Sequence, residues 1–341
     1  MSEKKGLGLP QTRGIFKLRG VITGMKRKNA LKQGTTKTNQ KRNVLSIGVT
    51  TAPESTVYVS LEGMEKDKVY FGKKPEEEGK KGETIEVPWA KRFEEQPEGF
   101  KLRGVTVGIE KNEEGSNAIE TLTEFDASTK IHEGLNDGES VFVYGEIGYS
   151  SFMKKDELRR NKKFNIKNIY KTTDDISFDS DNFKEINDFK QRIVYMGLEK
   201  IEDKNDPRYQ VDVKIVTYKT VEDADFIIRD KSLANQFRAY LKPYYAIDVW
   251  GNIFNKVNTE EINNATGGVW GQEDNFKKTN DNYIRELVIT GADPESIDKN
   301  TYSEQIIEAA INAIKTFGED VNYSEWGTEG VINIKDEDLP W

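Results

Sequence analysis

Apolar and polar residues alternate with a period of two through much of this chain, the pattern of strands with one face in a core. In the segment 16–23, Phe16, Leu18 and Ile22 fall on one side, with Lys17, Arg19 and Thr23 on the other. The hexapeptide Phe16-Lys17-Leu18-Arg19-Gly20-Val21 recurs as Phe100-Lys101-Leu102-Arg103-Gly104-Val105, and Gly24 is answered by Gly108 at the same offset. A weaker copy is Phe189-Lys190-Gln191-Arg192-Ile193-Val194, followed by Gly197. Copies at spacings of 84 and 89 residues predict three duplicated units. The late glycine in each allows the bend that a small barrel needs at a corner.

A second element repeats. Val141-Phe142-Val143-Tyr144-Gly145-Glu146-Ile147 corresponds to Ile247-Asp248-Val249-Trp250-Gly251-Asn252-Ile253, with Tyr144 and Trp250 on the face opposite the apolar one. Before the second of these, residues 230–241 carry Leu233, Ala234, Phe237 and Leu241 at helical spacing, and Pro243 ends the helix. Further strands are expected at 164–169 and 286–290, and a hairpin at 44–51 and 57–61 around Pro53. A bent strand, a hairpin, a helix or loop and two more strands make the element count of a five-stranded OB barrel. The expected fold is therefore mainly β: tandem OB-fold-like barrels, a C-terminal helix and a disordered acidic tail. The expected units are 1–97, with a basic loop at 26–42, then 98–183, then 184–317 with the helix at 303–317, then the tail at 318–341.

Charge is unevenly spread. The formal net charge is −8, yet twelve Lys or Arg and no Asp or Glu lie between Lys4 and Pro53. Seven of the twelve are Lys26, Arg27, Lys28, Lys32, Lys37, Lys41 and Arg42, in a stretch without amphipathic period that reads as a long flexible loop. From Glu319 to Trp341 seven acids face one lysine. One end has the electrostatic footprint of a polyanion binder and the other resembles a polyanion.

The chain has no cysteine and one histidine, His132, which excludes disulfides, thiolate zinc sites, thiol nucleophiles and His–His metal motifs. The segment Gly72 to Lys81 has six residues between its glycines, three of them glutamates, and fails as a phosphate loop. Asp174, Asp175, Asp179 and Asp181 lack calcium-loop spacing and read as a solvated turn. No catalytic constellation, cofactor motif or metal site emerges, so a non-enzymatic protein is expected. No apolar run is long enough to cross a bilayer and the N-terminal residues form no secretory signal, so the expected location is the cytoplasm.

Cations interleaved with aromatics carry the positive evidence. Alternation turns Tyr58 and Tyr70 outward near the base of the 26–42 loop, which lies between the first and second strands. In OB folds that loop and the face of strands two and three carry the ligand. A second cluster has Tyr149 and Phe152 before Lys154, Lys155, Arg159, Arg160, Lys162 and Lys163, in the loop between strands four and five. Lys17 and Arg19 on the outward face of the first strand extend the basic surface. Tyr144 and Trp250 are further candidates for stacking on bases, worth ~1–3 kcal/mol each. The expected partner is single-stranded DNA. The main alternative is a structural or assembly protein that uses its barrels as interaction modules.

The terminal residues Asp336-Glu337-Asp338-Leu339-Pro340-Trp341 resemble the acidic tip of bacterial and bacteriophage single-stranded-DNA-binding proteins, with tryptophan in place of the terminal phenylalanine. That resemblance implies that the tip docks onto replication, recombination and repair proteins. The absence of cysteine, the wealth of Asn and Lys and the tandem barrels fit a bacteriophage-encoded protein acting in the host cytoplasm.

Overall fold

The computed structural model describes residues 6–75, 82–154, 157–202, 208–257 and 283–317. The chain begins with β1 (Gly14–Thr23), β2 (Leu31–Thr35), β3 (Lys41–Ala52) and β4 (Ser55–Met64). An insertion follows: β5 (Lys68–Lys73), β6 (Glu83–Pro88), a single 3-10 turn (Trp89–Lys91), β7 (Lys101–Leu102), β8 (Val105–Lys111) and β9 (Asn117–Leu122). Next come α1 (Glu124–Gly134), β10 (Ser140–Lys154) and β11 (Glu157–Lys171).

Strands β1, β3, β4, β11 and β10 close a ring. β1 pairs antiparallel with β3 and β10, β3 with β4, β10 with β11, and β4 runs parallel to β11. With α1 between the third and fourth ring strands, this is the topology of an OB fold. The inward positions are apolar and fully buried: Phe16, Leu18 and Ile22 on β1, Leu45, Ile47 and Val49 on β3, Val141 and Val143 on β10. Each such side chain contributes ~1.5–3 kcal/mol by leaving water. Thr123 caps α1 by accepting from the Asp126 N–H, and Ala127 and Ile131 close the barrel mouth.

The second ring repeats the plan. Its elements are β12 (Ile186–Ile201), β13 (Arg208–Val216), β14 (Val221–Ile228), α2 (Lys231–Tyr240), β15 (Ala246–Val257) and β16 (Tyr283–Asp298). β12 pairs with β13 and β15, β13 with β14, β15 with β16, and β14 runs parallel to β16. Asp230 caps α2 by accepting from the Leu233 N–H. A third helix, α3 (Glu304–Phe317), lays Ile307, Ala310 and Ile311 against Leu7, Val194, Val216, Ala246 and Tyr302. The acidic tail expected at 318–341 lies outside the described residues.

The described residues thus form two closed barrels where three units were expected. The boundary at 97 falls inside the first barrel, because β10 and β11 complete the ring begun by β1, β3 and β4. The identical copy, 100–105, is not a first strand. It breaks at Arg103–Gly104 into β7, which pairs with β5 in a separate three-stranded sheet, and β8, which pairs with β9 and β11. The place it would take beside β10 is held by β1. The weaker copy, 189–194, is the true equivalent, since Phe16 and Phe189 are direct partners where β1 and β12 pair antiparallel. The two barrels are therefore related by a pseudo-two-fold axis at their first strands.

The other repeat, Gly145 and Gly251, marks one device in both barrels. Gly145 faces Phe16 and Gly251 faces Phe189, and each follows a break in register. A Cβ at Gly145 would lie 2.0 Å from the Asn165 carbonyl oxygen, and one at Gly251 1.9 Å from that of Val288. Only glycine lets the neighbouring strand close at this bulge.

The barrels also interlock beyond the rings. The β10–β11 hairpin arm reaches the second barrel, where Ser151 Oγ donates to Glu222 Oε2 at 2.5 Å and Arg160 pairs with Asp223 at 3.4 Å. Reciprocally, Asn255 on β15 donates to the Thr56 carbonyl, and β15 pairs with β4 at Lys256 and Ser55. The insertion is clamped to α1: the Arg92 guanidinium donates to both Asp126 oxygens, at 2.8 and 3.0 Å, and lies over the rings of Trp89 and Phe93.

Candidate nucleic-acid interface

The basic segment 26–42 is ordered, contrary to the flexible loop expected. β2 pairs with β3 from Leu31–Leu45 to Thr35–Lys41, and Asn39 turns the hairpin with φ of 65°. Backbone pairing on an exposed edge needs no apolar alternation, so periodicity had nothing to report here. At the base, the Met25 and Lys26 N–H groups donate to the Asp137 carboxylate at 2.7 and 3.4 Å.

This hairpin carries its cations to the outward face of β3 and β4. The Arg27 guanidinium sits 5.4 Å from the centre of the Tyr58 ring, while Arg27 Nε donates to the Gly24 carbonyl at 3.2 Å. Tyr58 is half-buried on β4, opposite Gly48 of β3. Lys26, Lys28 and Lys37 are exposed and Lys32 is half-buried, and among the described residues none of the four forms an ion pair. Lys41 pairs with Glu65 at 3.6 Å, and Arg42, its side chain 11 % exposed, with Glu62 at 2.7 Å. Four of the seven cations thus remain available to a polyanion beside the Arg27–Tyr58 pair, while Lys41 and Arg42 are engaged with acids.

Tyr58 also lines a cleft of about 130 Å³ between the barrels, with Lys162, Phe164, Phe254, Asn255 and Arg285 among its walls. Lys162 lies on β11, and burial holds its amine below the usual lysine value against the opposing pull of Asp225 and Glu286. The Arg229 guanidinium lies 4.6 Å from the centre of the Phe254 ring, and Glu286 pairs with both Arg208 and Arg229. Phe254, Arg229 and Arg285 were not singled out by the sequence reading. Phe254 was within reach of it, because it shares the outward alternation of Trp250 on one strand. Arg285 comes into play where the barrels meet at the cleft, and Arg229 through its contacts with Phe254 and Glu286 within the second barrel.

Several expected members lie elsewhere. Tyr70 is 40 % exposed, but it stands on the separate β6–β5–β7 sheet with Lys68 over its ring, because the chain leaves the barrel after β4. The Tyr149 hydroxyl is buried without a hydrogen-bond partner, and burial, with Asp225 nearby, raises its pKa well above the usual phenol value. The residue as a whole is half-buried, on the arm that meets the second barrel. Phe152 is half-buried on the same arm, and Arg160 is spent on Asp223. Arg159 and Lys163 are exposed. The Lys154 side chain, Lys155 and the tip from Asp336 to Trp341 lie outside the described residues. Lys17 is exposed opposite half-buried Tyr144, Arg19 is half-buried, and Trp250 is 42 % exposed.

The equivalent face of the second barrel has the opposite character. Across β13 and β14 the outward pairs are Gln210–Ile227, Asp212–Asp225 and Lys214–Asp223, and Lys214 is tied to Asp223 at 2.9 Å. Among the described residues no group of His, Cys, Asp or Glu is arranged to hold a metal, and no helix is long and apolar enough to cross a membrane.

Fold and site together define a tandem OB-fold protein with one basic, aromatic face. Residues 74–324 match the YorF family, and the chain belongs to that family. The matched region takes in the insertion from β6 onward, α1, β10, β11 and the second barrel, but not β5, the basic hairpin or Tyr58. No curated protein matches the chain. Among solved structures it is similar to the wild-type single-stranded DNA binding protein from Thermus aquaticus, with a TM-score of 0.38 at 11% identity, covering 83% of this chain and 92% of that one. A deletion mutant of the same protein gives a TM-score of 0.39 at 11% identity, covering 83% and 94%.

Proposed function

We propose that this chain is a non-enzymatic protein that binds single-stranded DNA, largely without regard to base sequence, on the outward face of its first barrel. The observation that carries this reading is the Arg27 guanidinium over Tyr58 at the base of a hairpin rich in unpaired lysines. A base can stack beside that ring while Lys26, Lys28, Lys32 and Lys37 follow the phosphates, which is the sequence-tolerant mode of single-strand binding. The ordered hairpin lowers the cost of binding, because its cations are already held near the ring.

The setting is replication or recombination of phage or plasmid DNA, and residues 336–341 recruit partner proteins. These further steps rest on the acidic, Leu-Pro-Trp-terminated tip in the sequence.

Fluorescence anisotropy with an oligothymidine tests the reading. At ~0.7 counterions released per phosphate contact and about five contacts, affinity should fall about 100-fold between about 50 and 200 mM salt. An affinity that stays constant with salt contradicts the mechanism.

A further inference from the structure

The outward positions of β15 lead away from the inter-barrel cleft. Phe254 forms part of its wall, and Asn252 and Trp250 follow on the same side of the strand. At the rise of a strand, Trp250 is ~13 Å from Phe254. Trp250 is 42 % exposed, whereas its neighbour Val249 is fully buried. Across the sheet it faces Gly291 of β16, where a Cβ would lie 2.5 Å from the indole Nε1 and 2.6 Å from Cε2. The indole therefore rests against bare backbone and leaves its other side to solvent.

The surroundings of that ring carry both signs of charge. Lys190, the cross-strand partner of Trp250 on β12, is exposed, and its carboxylate neighbour Asp248 is 3.9 Å away and bound by Arg192 at 3.0 Å. Lys17 and Arg19 on adjoining β1 form no ion pair among the described residues. The acids of this face are Asp248 with its cross-strand partner Asp293, Asp188, which accepts from Asn252 at 3.2 Å, and Glu146, 3.9 Å from Lys167.

We infer that a strand held by the basic hairpin and Tyr58 continues past Phe254 along β15 and stacks a further base on Trp250, with Lys190 facing its phosphate. This rests on the reading of the first barrel given above, and it makes the binding surface bipartite. The second barrel then contributes through its strand-four face, since its strand-two and strand-three face is acidic.

The test compares oligothymidines of about 10 and about 30 nucleotides, given that one OB fold covers ~4–16. Trp250→Ala should weaken the long oligomer about tenfold, within the range of one stacked base, and leave the short one unchanged. Trp250→Phe should keep most of the affinity. Lys190→Glu, at an exposed position, should also weaken only the long oligomer. Wild-type affinity of both Trp250→Ala and Lys190→Glu for the long oligomer would overturn the inference. So would equal weakening at both lengths. If the wild-type protein binds neither length, the reading of the first barrel fails, and this inference with it.

Discussion

The two barrels share an interior and differ in what they show to solvent. Both close in the same strand order, carry a capped helix before the fourth strand and place a bulge glycine opposite an equivalent phenylalanine. Outside, the first barrel joins its first two ring strands through residues 24–40, which fold into a basic hairpin over Tyr58. The second joins them through residues 202–207 and presents Asp212, Asp223 and Asp225 on the matching face. The inward half of each strand is held by the need to fill a barrel. The outward half is unconstrained by that need and free to diverge, so duplicated folds can differ in surface chemistry.

The sharpest test of this contrast is charge reversal. Replacing Lys26, Arg27 and Lys28 together by Glu should lower oligothymidine affinity about 100-fold or more at moderate salt, since three contacts carry ~2 of the salt slope. Lys214→Glu in the second barrel should leave affinity at the wild-type value in the same titration. Equal losses would erase the distinction between the barrels.

The shared interior gives the next largest effect. Gly145→Val and Gly251→Val should each destabilise the fold by ~2 kcal/mol, because each adds side-chain atoms within contact of a backbone carbonyl. Urea unfolding followed by circular dichroism reads both, and a large difference between them would mean that the bulges are not equivalent.

A smaller effect is expected at the aromatic. Tyr58→Ala should weaken binding by ~1–2 kcal/mol with little change in salt dependence, since a stacked ring, unlike a lysine, displaces no counterion. A reduced salt slope with unchanged affinity at low salt would assign Tyr58 to positioning the cations instead.

Removal of residues 334–341 should alter affinity least, leaving it unchanged or raising it slightly, while capture of partner proteins is lost. A clear fall in DNA affinity on this truncation would place the tip in the binding surface.

Much of the first barrel was legible in the chain. Alternation located β1, β3 and β4, and helical spacing located α2 and α3. The Gly145 and Gly251 repeat was readable because a bulge at a barrel corner leaves a glycine between apolar positions. The copy at 100–105 misled because six residues specify a strand's alternation but not its partner. Of the site, the cations and Tyr58 were visible as residue types. Tyr149, Tyr70 and Arg160 were misplaced because their surroundings depend on where the insertion and the hairpin arm go.

The sequence by itself determined the strand character, the recurrence of one glycine-bearing strand at 141–147 and 247–253, and the concentration of positive charge before residue 53. Those are local properties, set by periodicity and by the backbone needs of single residues. Only the tertiary structure decided that there are two rings among the described residues, that Arg27 covers Tyr58 and that Phe254 faces the first barrel. Each of these depends on contacts between segments far apart in the chain, which form only when complementary surfaces bury one another.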